Sequence, residues 1–172
     1  MSLEKRKHVM SYLEQAGISY EIHEHPPVPT VEEALPYWDP IDAAHCKNLF
    51  FRNHKGNKHY LVILDHRRLL NIKDLEQRLK QGKISFASPK RMDRYLGLDA
   101  GSVSAFGIIN DQENHVHLFI DDQLEKAEQI SFHPNENTAT FVISFASFKK
   151  FLDLSGNSYE FISLYEDEPG KM

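Results

Sequence analysis

Cysteine is nearly absent. Cys46 stands alone among 172 residues, so no disulfide can close within the chain, and this usage suits a reducing, cytoplasmic setting. Long apolar runs are missing too: nothing approaches the ~20 residues a membrane-spanning helix needs. The charged opening Glu4, Lys5, Arg6, Lys7 leads into no apolar signal core, so no secretion or membrane contact is expected. Positive charge is not in excess, with 20 Lys and Arg against 25 Asp and Glu and a net charge of −5. That counts against a broad grip on nucleic acid while leaving room for a local basic patch. Neither repeats nor low-complexity segments occur. What is present is ordinary for a globular chain: 41% hydrophobic and 26% charged residues, enough for one domain with a sizeable core. The expected boundaries are 1–165 for that domain and 166–172 for a frayed tail.

Apolar spacing predicts a helix over 3–15, stopped by Gly17, then a short strand over 18–22. His23 to Pro27 reads as loop, since Pro26 and Pro27 remove two donors. Thr30 and Glu33 form a capping-box pattern for a short helix, broken at Tyr37, Trp38, Asp39 and Pro40. The runs 49–52 and 60–64 flank Asn53, His54, Lys55, Gly56 and Asn57 as a hairpin. Ile72, Leu75 and Leu79 share a helical face ended by Gly82, and 84–87 reads as a brief strand. Ser88 with Pro89 opens a helix to Leu96 that Gly97 closes. Strands are expected at 116–120, 140–144 and 159–165, and a helix at 147–154. Irregular interleaving of strands and helices favours an α+β fold with a mixed sheet over a doubly wound one.

Three polar islands border these strands: Lys47 with Asn48; the stretch Gly101, Ser102, Val103, Ser104, Ala105, Phe106, Gly107; and His133 with Asn135 and Asn137. On position alone Lys47 is a solvated lysine at a strand edge, or a point charge that captures phosphate or carboxylate. The glycine-flanked stretch is a tight connection, or backbone that approaches a ligand closely. His133 and its amide neighbours make a stitched turn, or a hydrogen-bonding wall that acts near neutral pH. The pairs His115/His117 and His23/His25 lack a third ligand, so no metal and no cofactor are expected. His45 and Cys46 are sequence neighbours, which rarely face each other as a nucleophile and its base. Lys83, Lys90, Arg91 and Arg94 form a cationic face, either merely solvated or a track for a phosphate backbone.

Taken in order, His25 to Ala34, Cys46 to Phe50, Ile84 to Ser88, Leu96 to Asp111 and Phe132 to Thr138 resemble the YbaK/prolyl-tRNA-synthetase-associated domain family. Within it they are most similar to the freestanding prolyl-tRNA editing branch of the ProXp-ala (PrdX-like) type. The resemblance implies a mixed sheet surrounded by helices, with the pocket beside the sheet. It implies hydrolysis of the ester joining a wrong amino acid to tRNA, alanine on proline tRNA first among the choices, with serine or cysteine editing as alternatives. A non-catalytic binder of tRNA ends or nucleotides is the alternative from another class. The acceptor end of tRNA is the implied partner, and prolyl-tRNA synthetase a possible second. Lys47, Gly101 and His133 match the family's functional lysine, loop glycine and pocket histidine. Asn48, Asn137 and the Thr30 helix match its supporting contacts. Two departures are visible: Ala105 stands where the family's loop usually has proline, and residues 37–44 are unusual for it.

Overall fold

The computed structural model describes residues 2–164. Tyr165 and the tail expected at 166–172 lie outside the described residues. The five helices are α1 (Ser2–Gln15), α2 (Val31–Trp38), α3 (Ile72–Leu79), α4 (Pro89–Leu96) and α5 (Phe145–Ser155). The eight strands are β1 (Glu21–Glu24), β2 (Ala44–Asn53), β3 (His59–Asp65), β4 (Ile84–Phe86), β5 (Val116–Asp121), β6 (Gln129–Phe132), β7 (Ala139–Ser144) and β8 (Tyr159–Ile162). They form one mixed sheet in the order β1-β7-β6-β2-β3-β5-β8, with β4 on β2. This is the expected α+β architecture.

Local chemistry explains most boundaries. Asn53 Oδ1 accepts from the Asn57 and Lys58 N–H groups at 3.0 and 3.1 Å, which turns β2 into β3. Ser88 Oγ accepts from the Arg91 N–H, Pro89 needs no such partner, and Gly97 ends α4 in the left-handed region at φ 65°. β3 is buried on both faces from His59 to Leu64, as expected of a central strand. One face carries Val9 and Leu13 of α1, Leu96 of α4, and Phe148, Phe151 and Leu152 of α5. The other is covered by Leu75 and Leu79 of α3.

Several expectations are corrected. The strand expected at 18–22 lies at Glu21–Glu24, because Ile18 is drawn into the core while its N–H closes the end of α1 on the Leu13 carbonyl. α2 runs through Tyr37 to Trp38 instead of breaking there, with Pro36 inside it. α3 ends at Lys80, a left-handed non-glycine at φ 57°, two residues before Gly82. α5 starts at Phe145, capped by Ser144. β6 was not expected at all, and β2 starts at Ala44, so Lys47 and Asn48 lie within the strand rather than ahead of it.

Candidate active site

A fork in the sheet makes the cleft. On one edge β2 pairs with β3 from Cys46 to Arg52. On its other edge it pairs with β6 only at Ala44 and His45, and with β4 only at Phe51, Arg52 and Asn53. The stretch 46–49 therefore faces open space between two diverging strands. Ladder alternation decides which backbone groups point there. The Phe50 carbonyl accepts from the Ala87 N–H on the open side, and the His45 carbonyl accepts from the His66 N–H on the β3 side. Asn48, two residues before Phe50, thus directs its main-chain N–H and C=O into the fork. Its side-chain Oδ1 is buried and has no partner among the described residues. A buried acceptor left unpaired costs about 1–3 kcal/mol, so this one is poised for a donor from a ligand.

The fork opens into a cleft of about 180 Å³. Lys47, Asn48 and Leu49 of β2 form its floor, and Ser131, Phe132 and His133 come from β6 and its exit. Ala100, Gly101 and Val103 form a third wall that meets Pro29, and Thr30, Val31 and Trp38 of the α2 region complete the lining. Of the expected site residues, Lys47, Asn48, Thr30, Gly101, Val103 and His133 are therefore brought together from four separate segments. Asn137 lies just behind: its Nδ2 would stand 3.6 Å from a Cβ at Gly101, and its carbonyl accepts from the Val28 N–H.

The others do not line the cleft. The 101–107 island is two consecutive 3-10 turns, Ala100–Ser102 and Ala105–Asn110. Ser102 is buried in the first, and its N–H closes that turn on Asp99. Ser104 Oγ caps the second by accepting from the Phe106 N–H at 3.2 Å. Ala105 and Phe106 are wholly buried, with the Phe106 ring set edge-on against Phe132 and Phe151. Gly107 is packed under Leu96 and Leu98. Asn135 takes a left-handed conformation at φ 63°, and its Nδ2 donates to the Phe106 carbonyl, so it braces the turn from behind. The alanine that replaces the family's usual proline is thus a core residue, outside the cleft lining.

Electrostatics distinguish the lining groups. Burial lowers the Lys47 pKa, and the carboxylates of Asp65 and Glu32 oppose that. His133 Nδ1 lies 2.9 Å from the Ala139 carbonyl, which can only accept, so Nδ1 carries the proton and Nε2 keeps the lone pair. Burial is the main force holding its pKa below the ordinary histidine value; the Ala139 hydrogen bond opposes it and neighbouring His25 adds to it. Burial pushes the Cys46 thiol up, which makes it an inert wall and not a nucleophile. Among the described residues no group of three or more His, Cys, Asp or Glu is placed to hold a metal.

Sequence reasoning missed the far wall. Trp38 is 5% exposed, donates from Nε1 to Thr140 Oγ1 at 3.1 Å, and stacks on His45 with ring centroids 5.0 Å apart and planes at 4°. His45 Nε2 donates to the Trp38 and Ile41 carbonyls at 3.1 and 3.2 Å, while Nδ1 meets the Ser131 hydroxyl. One buried ring thus ties α2 to β6 across the end of the cleft. In the sequence the one tryptophan sits between Tyr37 and Asp39, two residues from Pro40, a pattern that suggests a helix break.

Helices on both faces of a mixed sheet, with a polar cleft in its fork, place the chain in the class of α+β domains built on a mixed sheet. Residues 25–151 match the model of the aminoacyl-tRNA editing domain, and the chain belongs to that family. It is 36% identical over 168 residues to the prolyl-tRNA editing protein ProX of Acetoanaerobium sticklandii, covering 95% of this chain and all of that one. It is 31% identical to the prolyl-tRNA synthetase associated domain-containing protein 1 of Xenopus laevis, covering 91% and 95% of the two chains. The fold matches a solved structure described as a candidate trans-editing enzyme for prolyl tRNA synthetase, with a TM-score of 0.68 at 21% identity over 92% of this chain and 96% of that one.

Proposed function

We propose that this chain is a trans-editing deacylase that hydrolyses the ester between a wrongly attached amino acid and tRNA, with alanyl-tRNA of the proline type as its main substrate. The observation that carries this reading is the convergence of Lys47, Asn48, Gly101 and His133 on one cleft at the sheet fork. The names of the relatives support it. An aminoacyl ester is already activated, so positioning and charge stabilisation suffice. Lys47 holds a phosphate or the acyl end as a point charge, and Asn48 Oδ1 accepts from the α-ammonium or a ribose hydroxyl. Water adds to the carbonyl carbon, and the developing oxyanion is met by main-chain N–H groups of Asn48 and Gly101. A good donor of this kind contributes roughly 3–4 kcal/mol. His133 Nε2 accepts a proton from the water, directly or through the ribose hydroxyl. The C–O bond then breaks, the ribose oxygen regains the proton, and free amino acid leaves. Trp38 and Val31 narrow the apolar end, so proline is refused by size, since attraction alone separates one or two carbons only modestly.

The reading places the chain in the cytosol, working on the acceptor end of tRNA, with prolyl-tRNA synthetase as a candidate partner. Ala105, the departure that favours a non-catalytic binder, is buried and is not among the residues that line the cleft. A panel of proline tRNA charged with alanine, serine, cysteine or proline tests the proposal. Fastest release of alanine, with Lys47→Ala slowed at least a hundredfold, is expected. Serine or cysteine released faster would change the assigned substrate. No release from any would leave a binder.

A further inference from the structure

We infer that a second surface, at the far end of β2 from the cleft, grips the phosphate backbone of an RNA duplex whose 3′ end enters the fork. Only the direction of the RNA rests on the deacylase reading; the surface itself rests on the following geometry. The β2–β3 turn carries Arg52, Lys55 and Lys58, and α4 carries Lys90, Arg91 and Arg94. Arg91 joins the two elements: its Nη1 donates to the Gly56 carbonyl at 2.9 Å and to His59 Nε2 at 3.0 Å. Six cations thus share one end of a molecule whose net charge is −5, and Asp93 is the one carboxylate within the two segments.

Four cations elsewhere are paired. Lys5 meets Asp99, Arg6 meets Glu24 and Glu136, Arg67 meets Asp65, and Arg78 meets Asp74. Among the described residues none of the six has a carboxylate within ion-pair distance. Arg52 turns its guanidinium to the Asn53 and His54 carbonyls instead, and Arg94 lies 5.1 Å over the Tyr95 ring. A concentration of unpaired cations is costly through self-repulsion and is relieved by a polyanion. Its effect is felt locally: burial first, then His115, Arg91, Arg52 and Arg94, hold the His59 pKa down to about 4.

Position selects RNA among polyanions. Arg52 follows Lys47 by five residues of one strand, ~17 Å at ~3.3 Å per residue, close to the span of about five stacked nucleotides. At the strand edge along this span β4 carries Phe86, 56% exposed and stacked on Phe51 at 4.6 Å, on the α3 face of the sheet while α4 flanks the same edge from the other face. An exposed ring between a basic surface and a cleft is a platform for an unpaired base. A short single-stranded 3′ end that crosses Phe86 thus brings its duplex onto the six cations.

The test uses uncharged RNA hairpins with a four-nucleotide 3′ overhang, titrated into the full chain between 50 and 200 mM salt and followed by fluorescence anisotropy. Six neutralised phosphates predict an affinity that falls about 10³-fold over that range. The exposed, unpaired pairs K55E/K58E and K90E/R94E should each flatten the logarithmic salt slope by about two. K149E/K150E, an equal charge change on α5, should leave it unchanged. Phe86→Ala should weaken binding of the overhang hairpin but not of a blunt one. Equal effects from the α5 pair, or unchanged binding in both patch pairs with native circular dichroism, overturn the inference. Hydrolysis of an alanyl ester of adenosine alone should be unaffected by the patch variants. If wild type hydrolyses no ester yet binds RNA through this surface, the deacylase reading falls and the surface stands.

Discussion

Gly101 and Gly107 flank the same island, yet the fold constrains them in opposite ways. Gly101 does not take a positive φ, and a Cβ built there meets Pro29 at 3.4 Å and Asn137 at 3.6 Å, both ordinary contacts. The folded chain therefore has room for a methyl group. A Cβ at Gly107 would come within 2.7 Å of Leu98 Cδ1 and 3.3 Å of Leu96 Cβ. Glycine at 107 is a packing requirement, and the role proposed for glycine at 101 is to keep the cleft wall low for an incoming carbonyl. Gly101→Ala should leave unfolding free energy within ~0.5 kcal/mol of wild type while lowering deacylation about tenfold. Gly107→Ala should cost roughly 1–3 kcal/mol by overpacking. Urea denaturation and turnover measured on the same preparations separate the two. Equal activity in Gly101→Ala and wild type would remove that residue from the site.

At the scale of elements, the cleft depends on how α2 is fastened. His45 is 6% exposed, and burial lowers its pKa, so the ring stays neutral at neutral pH and keeps the single N–H that it shares between the Trp38 and Ile41 carbonyls. His45→Leu keeps the volume, leaves the Trp38 and Ile41 carbonyls only their backbone donors, the Ile41 and Ala43 N–H groups, and removes the partner of Ser131. The expected cost is about 1–3 kcal/mol. A loosened α2 should raise KM for alanyl-tRNA and narrow the preference over prolyl-tRNA, with kcat changed less. A kcat loss with unchanged KM would mean that His45 acts otherwise. The same element shows what could be read from sequence. Caps made α3 and α4 legible, since Asn71, Ser88, Pro89 and Gly97 act through local hydrogen bonds and fixed backbone angles. β6 has four residues and β1 is mostly polar, so neither shows a period; both exist because β7 pairs with each. Lys47 and Asn48 hid the first half of β2, because polar residues in a central strand make sense only where the sheet forks.

For the whole molecule, the resemblance named Lys47, Asn48, Gly101 and His133, but not how they meet. That depends on the crossover that sets β6 parallel to β2 for two residues and then lets them diverge, which no local pattern encodes. The second half of the island looked equally promising and proved to be core, since small and aromatic residues near glycine serve packing as readily as binding. The measurement that bears most directly on the fork is binding of an alanyl-adenosine analogue with an amide in place of the scissile ester, followed by backbone and histidine NMR. Saturable shifts concentrated at Lys47, Asn48, Gly101 and the His133 ring, lost in Lys47→Ala, are expected. Shifts centred elsewhere, in a protein that still releases alanine from tRNA, would contradict the proposed site.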